Sequence, residues 1–202
     1  MKTGLEVVLI IISYLLGSIP FGYIFTKSIA GLNIREHGSG NTGSTNVRRI
    51  AGRKVALFTQ LCDMMKGLLP VSIILILQYY KFFHFDNFLI YAVALSAILG
   101  HDFSIFLNFK GGKGVNTTLG ATLLLSPYSV FASVLVYFLV KWSSKYVSLG
   151  SVCLAITLTL TDVIIHKTSI LFYYLLICSI LIVIMHIPNI KRLVQGTERR
   201  SK

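Results

Sequence analysis

Long apolar runs alternate with short polar segments along the whole chain. Five runs are about 20 residues long and carry few charges, namely residues 5–25, 55–80, 88–109, 147–165 and 170–187. A helix of that length crosses the ~30 Å hydrocarbon core of a bilayer. The pattern therefore predicts an all-α integral membrane fold in which each of these runs forms one transmembrane helix.

The run from 115 to 140 is less simple, because Ser126 and Pro127 interrupt it. Proline kinks or ends a helix, so the run is either one long kinked span or two short ones. Two spans give seven transmembrane helices in total, and one span gives six. The first part, residues 115–125, is only about 16 Å long as a helix, so as a span it requires local thinning of the bilayer or help from neighbouring loops.

Basic residues decide between the two topologies, since loops rich in Lys and Arg stay on the cytoplasmic side. With seven helices the outside holds only Lys2, Lys81 and Lys167, and Lys66 lies within a span. With six helices the remaining 18 basic residues divide nine to nine. The sequence thus predicts seven helices, with the N-terminus outside and the C-terminus cytoplasmic. The fifteen basic residues then on the cytoplasmic side are Lys27, Arg35, Arg48, Arg49, Arg53, Lys54, Lys110, Lys113, Lys141, Lys145, Lys191, Arg192, Arg199, Arg200 and Lys202.

The composition agrees with a membrane protein. Hydrophobic residues make up 54% of the 202 positions, the mean hydropathy is +0.76, and the few charged residues sum to +12. We expect a single polytopic membrane domain over residues 1–202, with the first apolar run retained because no small-residue cleavage site follows it. Cys62, Cys153 and Cys178 lie apart in apolar stretches, so we expect neither a metal site nor a disulfide framework.

The first polar segment, residues 37–49 (HGSGNTGSTNVRR), lies between the first two spans. Its three glycines allow the backbone to direct N–H groups toward one point, and such a nest binds oxyanions. Arg48 and Arg49 supply charge suited to a phosphate. The alternative is an ordinary polar loop with positive-inside charges. Besides Arg49, the candidate anion-binding residues are Ser39, Gly40, Asn41, Thr42, Gly43, Ser44, Thr45 and Asn46.

The second polar segment, residues 108–118 (NFKGGKGVNTT), lies between the third and fourth spans. It is similar to the Gly-Lys core of a phosphate loop, but the GxxxxGK[ST] spacing and a preceding strand are absent, so nucleotide binding does not follow. What does follow is a backbone cradle with two ammonium groups at the start of a helix, where the dipole also favours an anion. The alternative is a tight basic turn. The candidate residues are Lys110, Gly111, Gly112, Lys113 and Gly114.

Two further segments, residues 145–151 and 185–192, also fall at predicted cytoplasmic helix ends. Ser148 alone is typical of membrane-helix serines that bond a backbone carbonyl. His186 and Asn189 are three residues apart and would share a helix face, a spacing that Pro188 disturbs. A lone interfacial histidine is more often a polar anchor than a base.

Two charged residues are expected inside the second span, Asp63 and Lys66. Their spacing of three residues places them on one helix face, where they neutralise each other. The pair is therefore predicted to be structural.

Together these segments resemble the signature motifs of the acylphosphate-dependent glycerol-3-phosphate acyltransferases of bacteria, the PlsY family. Order and spacing agree along nearly the whole chain. The matching stretches are residues 17–23 (GSIPFGY), 39–41 (SGN), 45–47 (TNV), Asp63 with 66–67 (KG), 100–101 (GH), 109–114 (FKGGKG), 146–149 (YVSL) and His186 with 189–190 (NI). The resemblance implies seven helices in the bacterial inner membrane, with these motifs on the cytoplasmic face.

The resemblance also implies a reaction: transfer of a fatty acyl group from acyl phosphate to the 1-hydroxyl of sn-glycerol 3-phosphate, giving lysophosphatidic acid and phosphate. It implies catalytic roles for His186, Asn189, Ser148, Lys113 and Arg49. No cofactor or metal is expected, since the leaving group is already phosphate. The two substrate phosphates fit two Gly-rich basic segments. Expected partners are the two substrates, membrane lipid and, functionally, a soluble acyl-phosphate-forming enzyme, with no nucleic acid.

Two alternative functions and one question of mechanism remain open on the sequence. A transporter of an organic phosphate would show charges along a transmembrane path, whereas here the polar residues concentrate at one face. A membrane adaptor that holds anionic lipid would explain the basic residues but not the glycines. For an acyltransferase, the proton of the attacking hydroxyl passes either to His186 or to a substrate phosphate.

Overall fold

The computed structural model describes residues 2–83, 85–86 and 88–201, and the regular secondary structure in this part of the chain is entirely helical. It contains nine α-helices and two short 3₁₀ helices, with no β-strand among the described residues. The all-α prediction is confirmed. The chain divides into two compact units, Met1–Leu124 and Leu125–Lys202, and the single-domain organisation of the whole chain stays a prediction.

The first unit contains five α-helices and both 3₁₀ helices. The elements are α1 (Lys2–Ser18), α2 (Phe21–Ala30), a 3₁₀ helix at Ile34–Glu36, α3 (Ser44–Tyr79), α4 (Leu89–Asp102), a 3₁₀ helix at Ile105–Leu107 and α5 (Val115–Thr122). The first predicted span is divided at Pro20, whose missing N–H removes a helical hydrogen bond. Small residues bring α1 and α4 into close contact, since a Cβ on Gly17 would lie 2.1 Å from the carbonyl oxygen of Ala97.

Helix α3 is interrupted near its start. Gly52 has φ 87° and ψ 176°, a conformation that residues with a Cβ rarely adopt. The interruption separates the first helical stretch, which carries Arg48 and Arg49, from the long apolar part that corresponds to the predicted span 55–80. The first polar segment therefore continues into a short helix that is separated by a kink from the long apolar part of α3.

Helix α5 is short and packs against the apolar part of α3. A Cβ on Gly67 would lie 2.1 Å from the carbonyl oxygen of Thr117, and one on Gly120 would lie 1.9 Å from that of Met64. The helix ends at Thr122, five residues before the next one begins at Pro127. The run from 115 to 140 is thus divided into two helices where the Ser-Pro pair interrupts it.

The second unit consists of α6 (Pro127–Ser144), α7 (Val147–His166), α8 (Ile170–Met185) and α9 (Ile187–Val194), followed by the C-terminal tail. Hydroxyl groups link α7 to α8: Thr159 Oγ1 donates to the carbonyl oxygen of Leu175 at 3.1 Å, and Ser179 Oγ donates to that of Ala155 at 2.5 Å. The chain bends by 55° between α8 and α9.

Several helices have the length and apolar character needed to cross a membrane. In the described residues these are Gly4–Ala30, Ser44–Tyr79, Leu89–Leu107 and Val147–His166, and the bent pair Ile170–Met185 with Ile187–Val194 makes a fifth if it forms one span. Many of their large apolar side chains are exposed, such as Phe58 and Leu160, as expected of surfaces in contact with lipid. The count of seven spans and their orientation stay predictions.

Candidate active site

The first polar segment is a tight loop that runs into α3. Gly38 and Gly40 have φ values of 64° and 70°, in the left-handed region that favours glycine. A Cβ on Gly38 would lie 2.2 Å from Oδ1 of Asn46, so this turn has no room for a side chain. These glycines therefore give the loop its shape.

Asn46 lies at the centre of this loop and is 2% exposed. Its Nδ2 donates to the carbonyl oxygens of His37 and Asn41, both at 3.0 Å. Its Oδ1 accepts from the N–H of Ser39, also at 3.0 Å. Because both ends of the amide bond the backbone, Asn46 positions the loop, and its contact with substrate stays a prediction.

The other candidate residues of this segment lie around the start of α3. Thr42 is buried, and its carbonyl oxygen would lie 1.9 Å from a Cβ on Gly22, so it faces α2. Gly43 precedes α3, and its carbonyl oxygen accepts the N–H groups of the third and fourth residues that follow. Ser44 and Thr45 are half-buried in the first turn. The positive end of the α3 dipole is therefore close to the loop.

Arg48 and Arg49 follow in the same short helical stretch and are exposed. A hydrophobic cluster of Ile34, Val47, Val55 and Ala56 anchors this stretch, since all four side chains are buried against one another. The cluster thus fixes the backbone that carries the two long, flexible arginine side chains.

The second polar segment packs against the C-terminal end of α4. The N–H of Gly111 donates to the carbonyl oxygen of Asp102 at 3.0 Å, and the N–H of Gly112 donates to that of His101 at 2.9 Å. These two amides therefore bond α4, and the anion-binding role of this backbone stays a prediction. The glycines are required for close packing, since a Cβ on Gly111 would lie 2.0 Å from the carbonyl oxygen of His101.

Beyond this packed stretch the chain turns into α5. Lys110 is exposed and Lys113 is half-buried. Gly114 has φ 71° and directly precedes the helix. Lys113 therefore lies beside the N-terminal end of α5, where the helix dipole adds to the charge of the ammonium group.

The first and second segments, which the sequence presents separately, are neighbours within the first unit. Asn41 Nδ2 donates to the carbonyl oxygen of Gly111 at 3.4 Å, and Asn116 Nδ2 donates to Ser44 Oγ at 3.4 Å. Two basic segments, each with a helix N-terminus, are thus brought together.

The predicted pair of Asp63 and Lys66 is confirmed and gains a third member. Lys66 Nζ lies 2.9 Å from Asp63 Oδ1, with both side chains 3% exposed. His101 Nδ1 on α4 lies 3.5 Å from the same oxygen and 3.4 Å from Lys66 Nζ. An ion pair within one helix thus contacts a residue of a second helix, a role that sequence reasoning did not give to His101.

In the second unit, a carboxylate of the C-terminal tail joins the third and fourth segments. Glu198 Oε1 accepts from Ser148 Oγ at 2.8 Å and from Asn189 Nδ2 at 2.7 Å, and Oε2 accepts from Arg192 Nε at 2.7 Å. Burial opposes ionisation of Glu198, but these three donors and the guanidinium charge outweigh it and hold the pKa of its carboxyl below the usual value. The carboxylate is therefore charged at neutral pH.

Sequence reasoning missed Glu198. The available signal is its rarity, since the chain has seven acidic residues and this is the only one after Asp162, amid five basic residues. Ser148 is buried, but it bonds this carboxylate instead of a backbone carbonyl. Ser151, in contrast, donates to the carbonyl oxygen of Val147 at 3.0 Å, as expected of a membrane-helix serine.

His186 lies at the junction of α8 and α9 and is 3% exposed. His186 directly precedes α9, and its carbonyl oxygen accepts the N–H groups of Asn189 and Ile190, both at 2.9 Å. The expected common helix face with Asn189 stays a prediction. Nδ1 lies 2.7 Å from the carbonyl oxygen of Ile182. A carbonyl only accepts, so the neutral ring carries its proton on Nδ1 and its lone pair on Nε2, the tautomer that a base requires.

Loss of the Glu198 carboxylate should destabilise the second unit. We expect Glu198→Ala to lower the free energy of unfolding by about 2 kcal/mol, because it leaves Ser148 and Asn189 donors without their acceptor. The stabilisation is present at neutral pH and lost as the pH falls through the lowered pKa of the folded state. Thermal unfolding in detergent between pH 3 and 8 measures both effects. Arg199→Ala, an exposed change in the same tail, is the control, and equal melting temperatures for the two variants would contradict the role of Glu198.

Fold and site together define a helical membrane protein with adjoining basic, glycine-rich segments suited to phosphate-bearing ligands. A protein-family model described as glycerol-3-phosphate acyltransferase matches residues 7–196. The chain is 39% identical over 194 residues to the glycerol-3-phosphate acyltransferase of Clostridium acetobutylicum, covering 96% of this chain and 98% of the relative. It is 44% identical over 199 residues to that of Geotalea daltonii, covering 98% of each.

Two solved structures are also similar. Both are crystal structures of PlsY, described as an integral membrane glycerol 3-phosphate acyltransferase. The glycerol 3-phosphate form matches with a TM-score of 0.88 and 35% identity over 98% of this chain and 96% of that one. The lysophosphatidic acid form matches with 0.85 and 35%, over 96% and 94%. The chain therefore belongs to the glycerol-3-phosphate acyltransferase family of integral membrane proteins, the PlsY family, which confirms the resemblance found in its sequence.

Proposed function

We propose that the chain transfers a fatty acyl group from acyl phosphate to the 1-hydroxyl of sn-glycerol 3-phosphate, releasing lysophosphatidic acid and inorganic phosphate. Family membership supports glycerol 3-phosphate as the acceptor. The observation that carries the proposal is the contact between the two basic segments, in which Asn41 Nδ2 lies 3.4 Å from the carbonyl oxygen of Gly111. Both substrates of this reaction carry a phosphate, and each segment offers a cation beside a helix N-terminus.

Arg49 and Lys113 bind the two substrate phosphates in this proposal. Guanidinium and ammonium groups form charge-assisted hydrogen bonds with phosphate oxygens, which are stronger than neutral ones. Arg49 lies in the first helical stretch of α3, and Lys113 lies directly before Gly114 and α5. Each cation therefore acts together with the positive end of a helix dipole.

His186 accepts the proton of the attacking hydroxyl. Its Nδ1 is held by the carbonyl oxygen of Ile182 at 2.7 Å, which fixes the lone pair on Nε2. Asn189 and Ser148 share the carboxylate of Glu198, so they are ordered without a ligand. Acyl phosphate already carries a good leaving group, so direct attack of the hydroxyl on the acyl carbon needs no covalent enzyme intermediate.

The reaction takes place on the cytoplasmic face of the bacterial inner membrane in a protein of seven spans. Support comes from the distribution of Lys and Arg, fifteen of which then fall on the cytoplasmic side. A soluble acyl-phosphate-forming enzyme would deliver the donor from that side.

Reporter fusions test this orientation. A reporter fused after Lys202 should read cytoplasmic, and one inserted between Lys81 and Asp86 should read external, because the two positions are separated by an odd number of spans in the seven-helix arrangement. Alkaline phosphatase and fluorescent-protein fusions measure both. Finding the two positions on the same side would exclude seven spans.

Purified protein incubated with palmitoyl phosphate and labelled glycerol 3-phosphate tests the reaction. Lysophosphatidic acid and inorganic phosphate should appear in equal amounts. Palmitoyl-CoA and palmitoyl-acyl carrier protein, offered in parallel reactions, should give no product. Product from a thioester and none from palmitoyl phosphate would overturn the assignment of the donor, and product from no donor would overturn the proposed function.

A further inference from the structure

A buried imidazole, that of His101, stands between an ion pair and the loop that carries Lys113. Its Nδ1 lies 3.5 Å from Asp63 Oδ1 and 3.4 Å from Lys66 Nζ. Its opposite edge faces the loop, since a Cβ on Gly112 would lie 1.9 Å from Nε2. The ring is 8% exposed. It is therefore buried between the ion pair and Gly112.

The backbone of the same residue bonds the same loop. The carbonyl oxygen of His101 accepts the N–H of Gly112 at 2.9 Å, and that of Asp102 accepts the N–H of Gly111 at 3.0 Å. Two main-chain hydrogen bonds and the close contact of Gly112 with the ring therefore both constrain the backbone of the loop. Lys113 is the next residue in the chain, so its position depends on this contact.

The ion pair connects this contact to α3. Asp63 and Lys66 lie in the apolar part of α3, whose first stretch carries Arg49. Lys66 Nζ also lies 5.2 Å from the ring centroid of Phe21 on α2, which restricts its movement. The contacts therefore run from a fixed ion pair through one imidazole to the Lys113 loop.

We propose that His101 is a positioning residue for the reaction: its ring, which lies between the Asp63–Lys66 ion pair of α3 and Gly112, holds the Gly111–Lys113 loop and so places the Lys113 ammonium where it binds a substrate phosphate. The inference rests on the proposed function, because it assigns a purpose to the position of Lys113. His101 itself touches no reacting group. Its loss should therefore raise the KM of the substrate that Lys113 binds and leave kcat nearly unchanged.

Two neighbouring glycines provide a matched pair of probes. The three atoms nearest to a Cβ on Gly112 all belong to the His101 ring, at 1.9, 2.7 and 2.7 Å. A Cβ on Gly111 instead meets backbone atoms, the carbonyl oxygens of His101 at 2.0 Å and Asp102 at 2.9 Å. His101→Ala therefore makes room for the methyl group of Gly112→Ala but not for that of Gly111→Ala.

Steady-state kinetics of the single and double variants test the proposal, with KM measured for glycerol 3-phosphate and for palmitoyl phosphate. We expect His101→Ala to raise one KM about tenfold with kcat within about twofold of wild type. Gly112→Ala and Gly111→Ala should each lower kcat/KM by roughly 10²-fold. In the His101→Ala background, Gly112→Ala should cost at most about twofold more, and Gly111→Ala should keep its full effect.

The proposal is overturned if His101→Ala leaves both KM values unchanged, or if it fails to suppress Gly112→Ala. His101→Asn is the second variant, because it keeps a polar atom near Asp63 and is too short to meet the methyl group of Gly112→Ala. Melting temperatures identify variants that do not fold. Titration calorimetry with glycerol 3-phosphate and with inorganic phosphate reports the same suppression without turnover. A wild-type protein that makes no product would refute the proposed function, whereas an active one without suppression would refute only the role of His101.

Discussion

Arg49→Ala and Lys113→Ala are each expected to lower kcat/KM by about 10²-fold or more. In the proposed mechanism each change removes a charge-assisted contact with a substrate phosphate, and the half-buried position of Lys113 limits replacement of its ammonium group by water. Initial rates measured while each substrate is varied in turn show which KM rises. The substrate with the raised KM is the one whose phosphate that residue binds.

Neighbouring cations set the controls for this experiment. Arg48 adjoins Arg49 and Lys110 lies three residues before Lys113, so either neighbour can partly replace the lost charge. The double changes Arg48→Ala with Arg49→Ala, and Lys110→Ala with Lys113→Ala, should therefore be more severe than the single ones. Lys54→Ala removes the same charge from an exposed position of α3 beyond Gly52 and should stay within about twofold of wild type. Near-normal kinetics in both double variants would contradict phosphate binding by these segments.

Helices were predictable where length and polarity alone define them. The runs at 147–165 and 170–187 correspond to α7 and α8 within a few residues, because charged or turn-forming residues flank both. The break at Pro20 was not predicted, since the apolar run continues through it. The interruption at Gly52 was not predicted either, because a single glycine between Ala51 and Arg53 does not reveal that its φ is positive.

The candidate site was predictable as a set of segments but not as a set of contacts. Glycine density drew attention to the second segment, but it did not predict that the N–H groups of Gly111 and Gly112 bond α4. That partner lies about ten residues earlier across a turn, and only the fold brings it close. Glu198 was not predicted for a similar reason. It lies 50 residues from Ser148 along the chain, and no local sequence pattern indicates the hydrogen bond between them.

The buried position of His186 also depends on the fold. A histidine near a membrane interface is usually an anchor with an exposed ring, but this ring is 3% exposed and donates from Nδ1 to a carbonyl oxygen. Burial together with a hydrogen bond at Nδ1 distinguishes this ring from an anchor, which keeps its polar edge in water. The kinetic role of His186 is therefore the sharpest remaining test of the mechanism.

His186→Ala is expected to lower kcat by about 10²- to 10⁴-fold with little change in KM, since in the proposed mechanism the variant lacks the group that accepts the hydroxyl proton in the transition state. His186→Asn and His186→Gln should be as inactive as the alanine variant, because an amide is not a base. If a substrate phosphate accepts the proton and the ring only orients glycerol 3-phosphate, the pattern changes: KM rises, and the two amide variants recover part of the rate.

Each variant is compared at equal amounts of folded, membrane-inserted protein. His166→Ala serves as the control, because His166 is half exposed at the C-terminal end of α7. Full activity in His186→Ala would remove His186 from the reaction under either mechanism.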